Sequence, residues 1–475
     1  MALSNVFQSG KSGMTTAKAG IATAGHNIAN ASTEGFSRQR AVSEAQVTQQ
    51  LAGQGGPYHG QGSKLARIER INDNYLEKQL REGGRDVSYN EEKQMFLGQV
   101  EDVFNEMNGD GLNRLVARFF NDFRKLSGDP SSEAIRQAVR ESSQAMVSDF
   151  NRLRSEVEAI RSHIDTRVDG NMKELTSFAK ELSELNNKIR VAEIQGNDAN
   201  DLQDRRDMVI KKMNTLVDIS VTKDNNGMVN VDVRGIGPIV TGPNFETYHV
   251  GRAPEQPEMG SAANALQIAR SAHSNEYITD HFKNGKLGAL IETRDKSVSM
   301  VLDRLDQLAF SVANAVNELH EKGFTADGKT GVSFFNQMNG PDGAARRLSL
   351  SQDIRSSVGN IAVGLQPGAP GDNRNALAIS NLQNIHLFNG GRTTADDFYN
   401  SIVSDIGVAS ARNNETLTQN RSILSQLGKM RDQVSGVSID EETTNLMQFQ
   451  HAFDASAKVI KTADEMLDTV LSLRR

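Results

Sequence analysis

The chain has no cysteine, no tryptophan and no long apolar run. Without cysteine there is no disulfide, no thiolate nucleophile and no Cys-ligated zinc, and the chain is indifferent to redox compartment. Aromatic residues are sparse, at 5%. No stretch approaches the roughly 18 apolar residues a membrane-spanning helix needs, so membrane insertion is not expected. Excess basic charge is missing as well. The formal net charge is -7 and the pI is near 5.8, the reverse of a nucleic-acid footprint. Residues 1–30 are rich in Ser, Ala, Gly and Asn, with Lys11 and Lys18 spread along them and no continuous apolar core. They do not read as a Sec signal peptide, so any export would use a route that recognises an uncleaved terminus.

Chemical motifs are equally thin. Ser9-Gly10-Lys11-Ser12 resembles the end of a phosphate loop, but Asn5 stands where the first glycine belongs and no strand precedes it. Gly53-Gln-Gly55 and Gly235-Ile-Gly237 lack the third glycine and following helix of a dinucleotide fingerprint. Asp224-Asn-Asn-Gly227 misplaces its glycine for a calcium loop and reads as a turn. His273 and His281 are the closest histidine pair in the loop regions, too few ligands for zinc. No nucleophile–base pair has sequence support. Neither catalysis, a metal nor a cofactor is expected.

What the chain does have is a narrow apolar seam at each end. The first is Leu3, Phe7, Gly10, Met14, Ala17, Ile21, Ala24, Ile28; the second is Leu446, Phe449, Phe453, Ser456, Ile460, Ala463, Leu467, Val470. Both keep a heptad rhythm, which favours a left-handed coiled-coil contact over a broad globular face. Gly and Ala in the first seam let a partner backbone come close. That seam has only five large apolar side chains, each contributing about 1.5–3 kcal/mol if fully buried. Thr15, Thr16, Gly20, Gly25 and Asn27 are poor helix formers. The expectation is a segment that becomes helical when neighbouring subunits cover its seam. The alternative is that each helix packs on its own globular domain. The apolar seam residues are thus the candidate assembly interface.

Between the ends, helical and extended stretches alternate. Residues 36–68 read as extended, helices are expected over 72–107 and 112–126, and one long helix runs from about Ser131 to Gln195. Its seam carries an eleven-residue step from Ile164 to Leu175, a stutter that unwinds a supercoil without ending the helix. After a helix over 202–216, alternation and turn residues mark 218–284 as a small β-rich insertion, with Asn225-Asn226-Gly227 as a hairpin-like turn. Helices return at 285–319 and 395–434, separated by a turn-rich stretch around Phe334-Phe335. Ser438-Ile-Asp-Glu441 fits a capping box for the last helix. The predicted fold is mainly α with a smaller β part (α+β), a nested rod-like multidomain protein. The expected division is a terminal coiled-coil assembly domain (1–34 with 438–475), a long helical bundle (35–217 with 285–437) and the 218–284 insertion.

His26-Asn-Ile-Ala-Asn30-Ala-Ser-Thr-Glu-Gly35-Phe-Ser-Arg-Gln39, within residues 1–40, resembles the N-terminal signature of bacterial flagellar rod, hook and hook-associated proteins. Asn445-Leu-Met-Gln-Phe449-Gln-His-Ala-Phe453 and Ala457 to Leu467 resemble the matching C-terminal signature. Asp129-Pro130, Asp201-Leu-Gln-Asp-Arg-Arg-Asp207, Ser404-Asp-Ile-Gly407 and Ser435 to Glu442 narrow the resemblance to the hook-associated branch. The resemblance implies a structural axial subunit at the hook–filament junction, exported through the flagellar type III apparatus and located outside the cell after a transient cytoplasmic stage. It implies as partners copies of itself in a ring, the hook protein, the third hook-associated protein as filament-side adaptor, and a cytoplasmic export chaperone at the C-terminal helix. A hook or distal-rod subunit shares the termini, but its middle is largely β, which the 131–216 helices oppose. A secreted helical effector would not need both signatures. Longer relatives carry a large β insertion after the Phe-Phe pair, whereas here Phe334-Phe335 leads by a short loop to Gly340-Pro-Asp-Gly343.

Overall fold

Long periodic stretches become helices, and glycine-rich breaks bound them. The computed structural model describes residues 2–46, 49–50, 58–105, 111–224, 227–252, 266–270, 277–388 and 390–472. Gly53, Gly55, Asn225, Asn226 and His273 lie outside the described residues. In chain order the main elements are α1 (Ala2–Ala29), β1 (Gln39–Ala45), β2 (Ser63–Arg70), α2 (Asn74–Val103), α3 (Leu112–Gly128), α4 (Glu133–Ile194) and α5 (Asn200–Leu216). Next come β3 (Ile219–Lys223), β4 (Val229–Val233), β5 (Gly237–Thr241), β6 (Asn244–Phe245), β7 (His249–Arg252) and β8 (Leu266–Ala269). The rest are α6 (Gly285–Glu292), a π-helical turn (Thr293–Val298), α7 (Ser299–Lys322), α8 (Arg374–Asn381), α9 (Ala395–Ser435) and α10 (Ile439–Ser472). The fold is mainly helical α+β with small antiparallel sheets.

Contacts group the chain into two units, each drawn from separate stretches of sequence. The first comprises Met1–Val87, Leu175–Thr247 and Asn420–Arg475. In it β1 and β2 pair antiparallel, from Gln39 opposite Arg70 to Ala45 opposite Ser63, with a bulge at Val42/Ser43. Strands β3–β6 form an antiparallel meander. Val229, Val231 and Val233 alternate inward on β4, the period-two pattern of a sheet with one covered face. Asn186 of α4, fully buried, donates to the carbonyls of Val229 and Gly242 at 2.8 Å each and accepts from Val229 N. α4 ends at Gly196 (φ 77°), where Asn197 N bonds Ala192 O across the left-handed residue.

The second unit comprises Ser88–Glu174 and Tyr248–Gln419 and includes β7 and β8. The strands of 218–284 are thus divided between the two units. Its core centres on Phe119, Phe120, Phe123, Phe334 and Phe335, all buried and meeting edge-on or tilted. Asn317 of α7 clamps the Phe pair, accepting from both Phe334 N and Phe335 N and donating to Phe335 O. His320 lies against Phe334, its Nδ1 2.6 Å from Val332 O, while its Nε2 accepts from Ala362 N. Burial pushes its pKa down to about 4, so the imidazole is held neutral.

Arg154 of α4 meets Asp306 of α7 at 3.2 Å, both buried, and the Asp306 carboxylate also accepts from Gly343 N and Ala345 N. Asn413, in the polar middle of α9, donates to Asn90 O and Gln94 Oε1, the register-fixing role of a polar seam residue. The stretch 285–319, read from sequence as one uninterrupted helix, instead contains the π-helical turn. Its extra residue rotates Thr293, Arg294 and Val298 together into the interior, and Arg294 reaches Asp165 and Leu266 O.

Candidate assembly interface

The two terminal seams face each other. α1 and α10 pack along their length as an antiparallel pair within one chain. A Cβ placed on Gly10 would lie 2.7 Å from Ile460 Cγ1, one on Gly13 2.7 Å from Ser456 Oγ, and one on Gly20 2.5 Å from the Phe449 ring. Asn27 Nδ2 meets Glu442 Oε2 at 2.9 Å. The numbers in each pair add to 469 or 470, so one register holds throughout. The missing side chains at 10, 13 and 20 permit this approach. On its other flank α1 lies against β1 and β2, where Ser63 Oγ donates to Thr16 Oγ1.

The sequence-predicted residues fall into three groups. Ala17, Ala24 and Ala463 are buried. Leu3, Met14, Ile21, Ile28, Leu446, Phe449, Phe453 and Ile460 are half-buried along the pair. Phe7, Leu467 and Val470 are exposed, at 42%, 40% and 53%. The predicted seam on α1 is therefore shifted. The face that meets α10 runs through Gly10, Gly13, Gly20 and Asn27, and its large neighbours Met14, Ile21 and Ile28 flank it. Gly10, Ala17 and Ala24 belong to the sequence-predicted seam, with the close approach they allow; Gly13, Gly20 and Asn27, which it leaves out, lie beside them on the contacting face. Each helix was expected to be covered by neighbouring subunits; here each covers part of the other.

The polar residues of the signatures form a node that apolar periodicity did not reveal. Asn27, buried, accepts from Gln39 N and donates to Gln39 O and to Glu442. Glu442, also buried, accepts from Arg38 Nε at 2.8 Å, and Arg38 Nη1 reaches Glu441. Gln39 Nε2 donates to Asp201 Oδ1, which lies 3.2 Å from His26 Nε2. Arg38 N donates to Ser435 O, and Arg431 donates to Phe36 O, so the segment after α1 is stitched to the α9–α10 turn. The available signal was Glu442 itself. It stands four residues before Leu446, a charge on a seam position.

Beside this node, α5 adds a buried pair, Arg70 with Asp204 at 3.0 Å. Asp204 Oδ2 accepts from Ser37 N, and burial pushes its pKa up against the pull of Arg70. A cavity of about 330 Å³ opens between His26, Phe36, Asp201, Arg205 and Met208. Arg205 is paired with Glu181 and Asp201 with Gln39, so the charges there are spent on the scaffold. Among the described residues no group of three or more His, Cys, Asp or Glu side chains could hold a metal, and no helix is long and apolar enough to cross a membrane.

Residues 97–335, just over half of the chain, match the family described as flagellar hook-associated protein FlgK helical domain. The chain belongs to the FlgK family of flagellar hook-associated proteins. The FlgK match spans the end of α2 through Phe335 and so includes α4 whole. Residues 432–473 match the flagellar basal body rod FlgEFG protein C-terminal family, which places α10 in the part shared with rod and hook proteins. Flagellar hook-associated protein 1 of Bacillus subtilis (strain 168) is 29% identical, over 98% of this chain and 97% of the relative. Its counterpart in Salmonella typhimurium is 23% identical over 99% of this chain and 100% of the relative. The flagellar hook junction protein FlgK from Burkholderia pseudomallei shares the fold, with a TM-score of 0.67 at 15% identity over 75% of this chain and 100% of that one.

Proposed function

We infer that this chain is a structural component of the bacterial flagellum at the junction of hook and filament. The observation that carries the assembly reading is the incomplete cover of the terminal pair. Phe7 and Leu467 remain exposed near the start of α1, and Val470 and Leu471 where α10 runs past it. An apolar end of this kind is relieved of water by association, the largest favourable contribution in most subunit contacts. In this reading copies of the chain form a ring through Leu3, Phe7, Met14, Ile21, Ile28, Leu446, Phe449, Phe453, Ile460, Leu467 and Val470, with Ala17, Ala24 and Ala463 permitting close approach. The ring joins the hook protein on one side and the third hook-associated protein on the other. Similarity of α10 to the rod family's C-terminal part supports the hook-side contact.

Export through the type III apparatus, with a cytoplasmic chaperone covering α10 beforehand, completes the proposal, and the protein then resides outside the cell. The terminal pair (1–34 with 438–475) is the assembly part. The helical body (35–217 with 285–437) is the spacer, and the β-rich stretch 218–284 is an addition to it. The role is structural and non-catalytic, in keeping with relatives named for hook association. The test is a strain whose only copy lacks residues 1–30. Hooks without filaments are expected; normal filaments would overturn the role given to α1.

A further inference from the structure

The small-residue seam by itself fits more than one alignment. Val6, Gly13, Gly20 and Asn27 stand seven apart on α1. Phe449 lies over Gly20. Slid by one heptad it would lie over Gly13, where the same lack of a side chain receives it, and Ser456 would face the exposed Val6. Val6 and Leu3 would then stand where Gly13 and Gly10 now leave room for Ser456 and Ile460, a crowding confined to the start of α1. The larger obstacle is Glu442. Its side chain is 3% exposed and accepts from Asn27 Nδ2, from Arg38 Nε and, at 3.4 Å, from Asn445 Nδ2 of its own helix. In the slid alignment it would face Gly20, which offers no side-chain donor. Arg38 could not follow, because its backbone is tied to Ser435 O and to Ile71 N. A buried carboxylate that loses its cation and its short donors, keeping only the long bond from Asn445, is strongly disfavoured, and polar seam residues are the best-attested means of fixing register.

We propose that Glu442, with Asn27 and Arg38, is the specificity-determining lock of the terminal pair, admitting α10 against α1 in one antiparallel alignment only. The seam supplies attraction and the node supplies alignment. The alignment sets how far α10 runs past α1, and hence that Leu467, Val470 and Leu471 are the side chains presented at that end. That consequence rests on the assembly reading above; the lock does not, and it is tested on the single chain.

Because the chain has no cysteine, each introduced pair reports alone. Gly13→Cys with Ser456→Cys reports the native alignment, since a Cβ at 13 would lie 3.6 Å from Ser456 Cβ, within the range a disulfide spans. Val6→Cys with Ser456→Cys reports the slid one, the two sites otherwise standing about 10 Å apart at 1.5 Å per residue. Both are oxidised in purified full-length protein and read by gel mobility. With the lock intact the native pair closes within the chain, and the slid pair closes at least about tenfold less. In Asn27→Leu/Glu442→Leu, where Arg38 keeps Glu441, the slid pair rises to within about twofold of the native one. Glu442→Gln keeps the shape and moves the ratio the same way by less; it decides alone if circular dichroism shows the double variant unfolded. An unchanged ratio in the variants overturns the lock. So does closure between chains in place of closure within one.

Discussion

α7 and α10 are both long, periodic helices, yet they end in opposite situations. α7 buries eleven of its 24 residues, whereas only Glu442 and Ala463 are buried among the 34 of α10. The difference lies in what each faces. Leu302, Leu305, Leu308, Val312 and Val316 sit in a core shared with large aromatic side chains. Phe449, Phe453 and Ile460 meet a helix that offers Gly and Ala. Close backbone approach gives α10 a geometrically definite seat but little apolar area, and area sets the strength of burial. Periodicity shows that a face is to be covered. It does not show by whom, or how completely.

This contrast can be broken most directly by truncating one aromatic in each region. Phe334→Ala opens a cavity in the phenylalanine cluster and is expected to cost about 3–5 kcal/mol in urea unfolding. Phe453→Ala, on the half-covered seam, should cost the isolated chain under about 2 kcal/mol while abolishing filament attachment. Equal costs would erase the distinction. Asp306→Ala should fall near Phe334→Ala, at about 3–5 kcal/mol, since it leaves buried Arg154 with Glu158 alone and Gly343 N and Ala345 N without their acceptor.

His320 sharpens the contrast by pH. Its native pKa of about 4 lies below the usual 6.5. Between these values the unfolded chain binds the proton and the native one does not, so stability is complete above 6.5 and declines as pH falls toward 4. The full loss is on the order of 3 kcal/mol. Urea midpoints for Ser88–Glu174 and Tyr248–Gln419, followed by hydrogen exchange at pH 7 and 5, should show it, and His320→Gln should lose that slope. The smallest effects come from two glycines of α1. Gly25→Ala meets nothing within 4 Å and should firm the helix by up to about 1 kcal/mol. Gly20→Ala drives a methyl into the Phe449 ring and should loosen the pair by about 1–3 kcal/mol in exchange measurements. Two changes of the same type would then have opposite signs.

Much of this was legible in the sequence. The long helix through the Ile164–Leu175 stutter, the helices at either end and the β-rich character after Leu216 all follow from periodicity and turn residues. The π-helical turn was not, because its inward Arg294 answers Asp165 and Leu266 O, partners remote in sequence. At the site, the terminal seams were visible, with Gly10, Ala17 and Ala24 among them, but Gly13, Gly20 and Asn27 have no apolar side chain to mark them and were left out. Glu442 carried a signal, a charge on a seam position; its donors Asn27 and Arg38 belong to a distant segment, and only the folded pairing joins them. A pairing of that kind leaves no periodic trace in a single chain.

The central claim is that the terminal pair is seated but thinly held until subunits associate, while the helical body is stable alone. Hydrogen exchange on the isolated, unassembled chain tests it. Amides of residues 3–20 and 450–472 should exchange at least about a hundredfold faster than those of 139–189 and 301–316, and slow on assembly. Equal protection of the ends and the body in the isolated chain would contradict the account.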